Sequence, residues 1–303
     1  MKDFFDLNIT RKDEMVKDHL VKQPVGSSVP LFSIVEFNLC GLCNRRCVFC
    51  PRVNPELFPN VDKGISVELY EKVMKDLRKV NFDGTIIYSA FSEPLLYKDI
   101  EILIGLSRRY CPEARLEIVT NGDFVTSEKL SRLFKAGLTT LCISMYDGPH
   151  QLAHFRALQK KAGLRDDQIV FRQRWLPPEE HFGITLSNRA GALEIKEIGI
   201  APLKEPLKKP CYYPFYQIFI NYDGTVLLCA HDWNKRLIVG NLNEQSILEV
   251  WDNDILKQVR VNLSKADRNF HPCDLCDAKG VLIGRNHFKK WSEYYESQQP
   301  VKK

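Results

Sequence analysis

The chain has 303 residues, 44% of them hydrophobic and 27% charged, which is room for one barrel domain with a small appendage or for two ordinary domains. Its 43 basic and 38 acidic residues leave a net charge of +5, too modest and too dispersed for a nucleic-acid surface. No apolar run approaches the roughly 20 residues of a membrane span, and Met1-Lys2-Asp3-Phe4 lacks the apolar stretch of a secretory signal, so a cytoplasmic protein is expected. Ten cysteines in such a chain suggest metal binding rather than disulfides, and seven of them fall into two spaced groups.

In chain order, residues 1–30 are charged and irregular, with a short helix expected over Lys12 to Lys22 as a strap over a barrel bottom or a mobile arm. From residue 31, short apolar runs alternate with amphipathic helices, the βα signature. Strands are predicted at Phe32 to Phe37, Gly84 to Tyr88, Arg115 to Val119, Thr139 to Ser144, Gln168 to Arg174 and Gly183 to Ser187. Helices are predicted after the N-cap Ser66, over Asp99 to Tyr110, after Thr126 as far as Gly137, and over Gln151 to Lys161. Six β/α units over residues 31–190 predict an α/β fold, a partial (β/α)6 barrel of the TIM type, with chemistry at the C-terminal strand ends.

The stretch Cys43-Asn-Arg-Arg-Cys47-Val-Phe-Cys50 follows the first strand. Three thiolates in eight residues suit a soft centre such as an iron–sulfur cluster. A closed zinc site or a carrier cluster takes four protein ligands. Three leave one iron of a four-iron cluster open to a small molecule. Two zinc knuckle pairs, Cys40 with Cys43 and Cys47 with Cys50, are the bland alternative, with Cys40 otherwise expected as a buried small residue.

This loop resembles the cluster loop of the radical S-adenosylmethionine (SAM) enzymes. The resemblance implies a SAM-binding 4Fe–4S cluster on Cys43, Cys47 and Cys50, with Phe49 against the adenine. It implies SAM contacts from Ser92 and Glu93 in Phe91-Ser-Glu-Pro94, from Asn121 in Thr-Asn-Gly, from Ser144 in Ser-Met-Tyr-Asp-Gly, and from Arg156, which would pair with the SAM carboxylate. Bland readings stand beside these: a plain loop, a turn asparagine and a solvated helix arginine.

Residues 191–210 read as a linker rich in Pro, Lys and Glu. Beyond it, Phe215 to Asn221, the turn Tyr222-Asp223-Gly224 and Thr225 to Cys229 form a hairpin pattern. Ser246 and Glu249 open a helix with a capping box, expected to bury Val250, Trp251, Ile255, Leu256 and Val259. Cys211, Cys229, Cys273 and Cys276 supply four ligands, and the region 211–280 resembles the SPASM/twitch extension of radical SAM enzymes, which implies an auxiliary 4Fe–4S cluster without an open iron. Zinc is the alternative there; His231 and His271 are expected to be bystanders. Residues 281–303 read as a closing helix or strap, in which His287 has no nameable partner.

The closest functional resemblance is to the aminocyclitol and sugar dehydrogenases of the twitch group. It implies oxidation of a hydroxyl to a carbonyl, with Arg189 just past the sixth predicted strand near the substrate hydroxyl. A guanidinium stays protonated, so positioning is expected of it rather than proton transfer; Arg172 and Arg174, on one face of a strand, are rivals. Basic residues at the strand ends permit a phosphorylated or nucleotide-linked sugar. Flavodoxin or ferredoxin is the implied reductant. The alternatives are sugar epimerisation with a cysteine hydrogen donor such as Cys142, peptide or protein modification, and a non-enzymatic iron–sulfur or zinc-stabilised protein.

Overall fold

The structure is a computed structural model and describes residues 7–22 and 29–297. β1 (Ile34–Phe37), β2 (Thr85–Tyr88), β3 (Arg115–Thr120), β4 (Thr140–Met145) and β5 (Ile169–Gln173) lie side by side in chain order, all parallel. A sixth parallel strand, β6 (Gln217–Ile220), adds to the free side of β1, with Ile34 opposite Gln217 and Phe37 opposite Ile220. The antiparallel strands β7 (Thr225–Leu227) and β8 (Ile238–Asn241) extend the same sheet.

Strand alternation divides the sheet into two faces. Val35, Phe37, Ile86, Tyr88, Leu116, Ile118, Leu141 and Ile143 enter the main core. There they meet α2 (Val67–Lys79), α3 (Ile100–Tyr110), α4 (Ser127–Ala136) and α5 (His150–Lys161). These helices have clear local causes. Ser66 Oγ accepts from the Leu69 amide at 3.1 Å, Thr126 Oγ1 from the Lys129 amide at 3.1 Å, and Gly137 ends α4 at φ +117°. The opposite face carries Ile34, Glu36, Val119, Ser144 and Arg172, which line a cavity.

Helix α1 (Leu7–Lys22) covers one end of that inner face. Val16 packs with Ile34 and Ile87, and both terminal nitrogens of Arg11 donate to the buried Glu117 at 2.8 and 2.9 Å. The helix begins earlier than Lys12; the rest of the expected arm, residues 1–6 and 23–28, lies outside the described residues. At the other terminus, α8 (Arg285–Ser297) brings Trp291 against Trp251, and the Arg260 guanidinium lies 4.1 Å from the Trp251 ring centre and 3.9 Å from that of Trp291. His287 does have a partner, Ser33 Oγ at 2.6 Å.

Two predicted elements differ. Gly183 to Ser187 is not a strand. His181, Phe182 and Gly183 take φ values of +50°, +54° and +70°, and Arg174 bonds the Gln173 and Gly183 carbonyls, which holds the chain out of the sheet. The sixth parallel strand is β6, from the C-terminal region, so the hairpin expected as part of a separate unit continues the barrel sheet. The helix after Ser246 is two helices, α6 (Ile247–Trp251) and α7 (Asp254–Ser264). Asn253 Oδ1 caps the Leu256 amide at 2.9 Å and restarts the helix in a new phase, leaving Ile255 47% exposed while Leu256 and Val259 stay buried.

Candidate active site

A cavity of about 570 Å³ sits against the inner face, with Cys43, Cys47 and Cys50 in its wall. The cysteine loop is pinned from below by Arg52, whose guanidinium donates to the carbonyls of Phe91 and Gly41 and to Asn60 Oδ1. Asn60 Oδ1 also accepts from the Cys43 amide at 2.9 Å, and its Nδ2 donates to the Cys43 carbonyl at 3.0 Å. At the rim, Arg45 donates to both carboxylate oxygens of Asp147, at 2.8 and 2.7 Å, and to Asp123. Asn44 Oδ1 accepts from Asn121 Nδ2 at 2.7 Å. The loop is thereby tied to the ends of β2, β3 and β4.

Burial pushes all three thiols up, Cys47 to about 12 with help from Cys50 and Cys43. Such thiols stay protonated without a cationic centre, and a metal cluster supplies the charge that holds them as thiolates. Among the described residues no three Cys, His, Asp or Glu side chains converge as a single bound ion demands. Three thiolates suit an iron–sulfur cluster with one open iron, whereas a closed zinc site takes a fourth protein ligand.

Most of the expected SAM residues border this space. Phe49 stacks on Tyr146 at 5.9 Å and packs against Phe182 at 5.1 Å. Ser92 lies in the wall and donates to Asn38 Oδ1 at 2.8 Å; Ser144 also lines the wall. The unusual backbone of the Ser92–Glu93 turn is carried by Ala90, at φ +82°. Glu93 is 2% exposed, and its carboxylate accepts from the Leu95 and Asn121 amides and from Thr120 Oγ1, between 2.7 and 3.0 Å. Burial raises its pKa against those bonds. Its side chain therefore joins the ends of β2 and β3, while its amide donates to the Leu42 carbonyl at 2.9 Å and ties the turn to the start of the cysteine loop. Asn121 is similarly committed to Asn44 and to the Asp123 amide.

Arg156 is not brought to the cavity. It projects from α5, pairs with the exposed Asp166 at 2.8 Å and covers the Phe171 ring. The carboxylate role implied for it has no geometric support, and the solvated-helix reading describes it. Cys40 is buried, as expected, with its thiol 3.8 Å from the Leu42 and Glu93 carbonyls.

The second cysteine group lies beyond the opposite wall. Cys273 and Cys276 are buried, Cys211 and Cys229 partly so. Burial raises all four thiols, and the pKa of Cys229 is pushed up further by Cys276, Cys273 and Cys211, which places the four together. Arg268, 2% exposed, donates to the Lys209 and Pro210 carbonyls before Cys211 and to the Ala278 and Lys279 carbonyls after Cys276, all at 2.8–2.9 Å. One buried guanidinium thus sets the spacing of the flanking strands of chain. The Cβ of any larger residue at Gly280 would strike Cys211 Sγ.

Arg189 lines the cavity between the two groups. Its charge acts on Cys50 on one side and on Tyr213, His231 and Asp277 on the other. The turn that presents it is stapled to the second group. Asn188 donates to the Ala201 and Leu275 carbonyls at 2.8 and 2.7 Å, and its amide donates to Asp277 at 2.8 Å. Arg172 and Arg174 also line the cavity, but Arg174 is occupied with carbonyls.

Sequence reasoning missed several cavity residues. Glu36 faces in from β1 and accepts from Ser89 and Gln217. His231 belongs to the wall, hydrogen-bonded to Ser187 Oγ at 3.0 Å and Tyr213 OH at 3.2 Å. Burial pushes it down to about 3, so it is a neutral imidazole. Lys12 of α1 also reaches the cavity. A charged residue in an otherwise buried strand was the available signal for Glu36; nothing local marks the other two.

The radical SAM superfamily profile matches residues 37–165, and an iron–sulfur cluster-binding domain profile, SPASM, matches residues 211–277. The S-adenosyl-L-methionine-dependent 2-deoxy-scyllo-inosamine dehydrogenase of Niallia circulans is 30% identical over 248 residues, which are 81% of this chain and 92% of that enzyme. The solved structure of BtrN in complex with AdoMet and 2-DOIA superposes with a TM-score of 0.69 at 26% identity, over 84% of this chain and 97% of that one. Native anSMEcpe with bound AdoMet shares the fold, with a TM-score of 0.53 at 13% identity over 88% of this chain and 96% of that one. A three-cysteine group in the cavity wall and a four-cysteine group behind it, together with these likenesses, place the chain in the radical SAM superfamily, among the enzymes that add a SPASM-type iron–sulfur domain.

Proposed function

We propose that the protein oxidises a hydroxyl-bearing carbon of a small polyol, an aminocyclitol or a sugar, to a carbonyl. The observation that carries this reading is the place of Arg189, in a cavity wall between a three-cysteine and a four-cysteine group. Cys43, Cys47 and Cys50 hold a 4Fe–4S cluster with one iron left for SAM, and Cys211, Cys229, Cys273 and Cys276 hold a closed auxiliary one. When bound, SAM on the first cluster would supply a hydrogen-abstracting radical and the second cluster would take the remaining electron, while the hydroxyl proton, which a guanidinium cannot accept, would leave to water.

The chain's own residues bind and orient. Phe49 and Tyr146 offer aromatic surface to the adenine, and Ser92 and Ser144 offer hydroxyls to the polar groups of SAM. Glu93 and Asn121 keep the loops in place. The Arg189 guanidinium donates to the substrate hydroxyl. Glu36 has two oxygens and about four acceptor sites, of which two are used, so it can receive a hydroxyl or ammonium. Epimerisation through Cys142 is disfavoured. Its thiol is not part of the cavity wall and lies 3.7 Å from Glu117 and 3.4 Å from Arg11. A flavodoxin or ferredoxin delivers the priming electron. Ten free cysteines suit the reducing cytoplasm; among the described residues no helix is long and apolar enough to cross a membrane.

The test is anaerobic turnover with SAM, dithionite and a panel of aminocyclitols and sugars deuterated at the carbinol carbon. The expected result is deuterium in 5′-deoxyadenosine and one carbonyl product per SAM. An inverted alcohol without carbonyl would replace the reading with epimerisation.

A further inference from the structure

The cavity extends past the SAM residues to a floor built partly by α1, where Ile9 and Lys12 meet Ile34, Val119 and Arg172. Lys12 and Arg172 reach the floor from different directions, one from the helix and one from β5 beside Ser144. Arg11, next to Lys12 on the helix, reaches the Cys142 thiol at 3.4 Å, and Arg172 stands on the strand paired with that of Cys142, so the two cations share one corner of the barrel. Glu117, the acid that Lys12 influences, is already engaged by both terminal nitrogens of Arg11. Glu36 is engaged by Ser89 and Gln217. Lys12 makes no ion pair among the described residues. A cation held beside apolar side chains in a confined space has an attraction for anions far larger than one in open water.

We propose that Lys12 and Arg172 form a seat for an anionic substituent of the substrate, a phosphate ester or a carboxylate; this rests on the polyol reading above and narrows it. The anion sits on the floor and the carbinol carbon points up toward Arg189 and the three-cysteine loop. Glu36 on the adjoining wall takes a hydroxyl or ammonium of the same molecule. A neutral or purely cationic polyol leaves the Lys12 charge unmatched. Residues of α1 then have a part in recognition as well as in closing the barrel, with Arg11 anchoring the helix so that Lys12 faces inward.

The test uses reconstituted protein with SAM bound, titrated calorimetrically with inorganic phosphate and, in parallel, with acetate. Lys12→Gln and Lys12→Arg are compared with the parent. The expected result is saturable binding of one anion, weakened about tenfold in Lys12→Gln and kept in Lys12→Arg, a loss of about 1.4 kcal/mol. Tighter phosphate points to a phosphate ester, tighter acetate to a carboxylate. No binding of either anion, or equal binding in the parent and Lys12→Gln, overturns the seat. Dithionite-driven SAM cleavage without substrate is measured on the same samples. Its absence from the parent would count against the radical reading alone, whereas matching denaturant unfolding of the parent and Lys12→Gln shows that the binding loss is local.

Discussion

The two cysteine groups are each organised by an arginine, and the two arginines work differently. Arg45 stands at the rim of the three-cysteine loop and holds two aspartates, Asp123 and Asp147, by charge. Arg268 is buried beside the four-cysteine group and holds four backbone carbonyls by hydrogen bonds. An ion-pair clamp at a surface is adjustable and salt-sensitive. A guanidinium that satisfies buried carbonyls is a fixed part of the fold, because its removal leaves them unpaired. The contrast suits the two tasks proposed above: one site would admit and release SAM, while the other would only keep its ligands in place.

The contrast is broken most severely at the cysteines themselves. A Cys43/Cys47/Cys50 triple alanine variant is expected to lose all SAM cleavage and about four irons, whereas Cys273→Ser loses about four irons and carbonyl formation yet still cleaves SAM. Iron analysis with EPR and 5′-deoxyadenosine assay distinguish them; equal loss of cleavage in both would remove the division of labour. Arg268→Ala comes next, with a destabilisation of roughly 3 kcal/mol, read by denaturant unfolding and unchanged by salt. Arg45→Ala is milder. We expect SAM binding about tenfold weaker, or ~1.4 kcal/mol, with the parent moving toward the variant as salt rises. If salt leaves the parent's SAM affinity unchanged, the clamp is not electrostatic. Arg156→Ala is expected to alter SAM affinity and stability by less than about 0.5 kcal/mol, since its partner is an exposed aspartate.

Arg156 also marks where sequence reasoning stops. Helical spacing says that a residue lies on α5, but not whether its face looks at the sheet's cavity or at solvent; the pairing with Asp166 decides that. Contiguous signals were legible. The cysteine spacing, the caps at Ser66 and Thr126, the Asp223-Gly224 turn and five parallel strands all depend on residues near each other in the chain. The sixth strand was misplaced because Gly183 to Ser187 has strand-like composition, while left-handed backbone at His181 and Phe182 turns it away. Arg268, Lys12 and His231 were missed for a related reason: their roles come from partners or neighbours far away in sequence.

The pairing of β6 with β1 has a consequence for biosynthesis. Ile34 waits for Gln217, a strand made about 180 residues later. Until then, one edge of the first strand has no hydrogen-bonding neighbour, although β2 to β5 can already assemble on its other side. A nascent chain stalled before residue 217 would present that edge, and the cysteine loop next to it, to other proteins. Iron delivered so early would meet the first three thiols before Cys229, Cys273 and Cys276 exist. The late strand therefore closes the sheet beside the radical site, and the assembled centre appears only after the C-terminal region that surrounds it has been made.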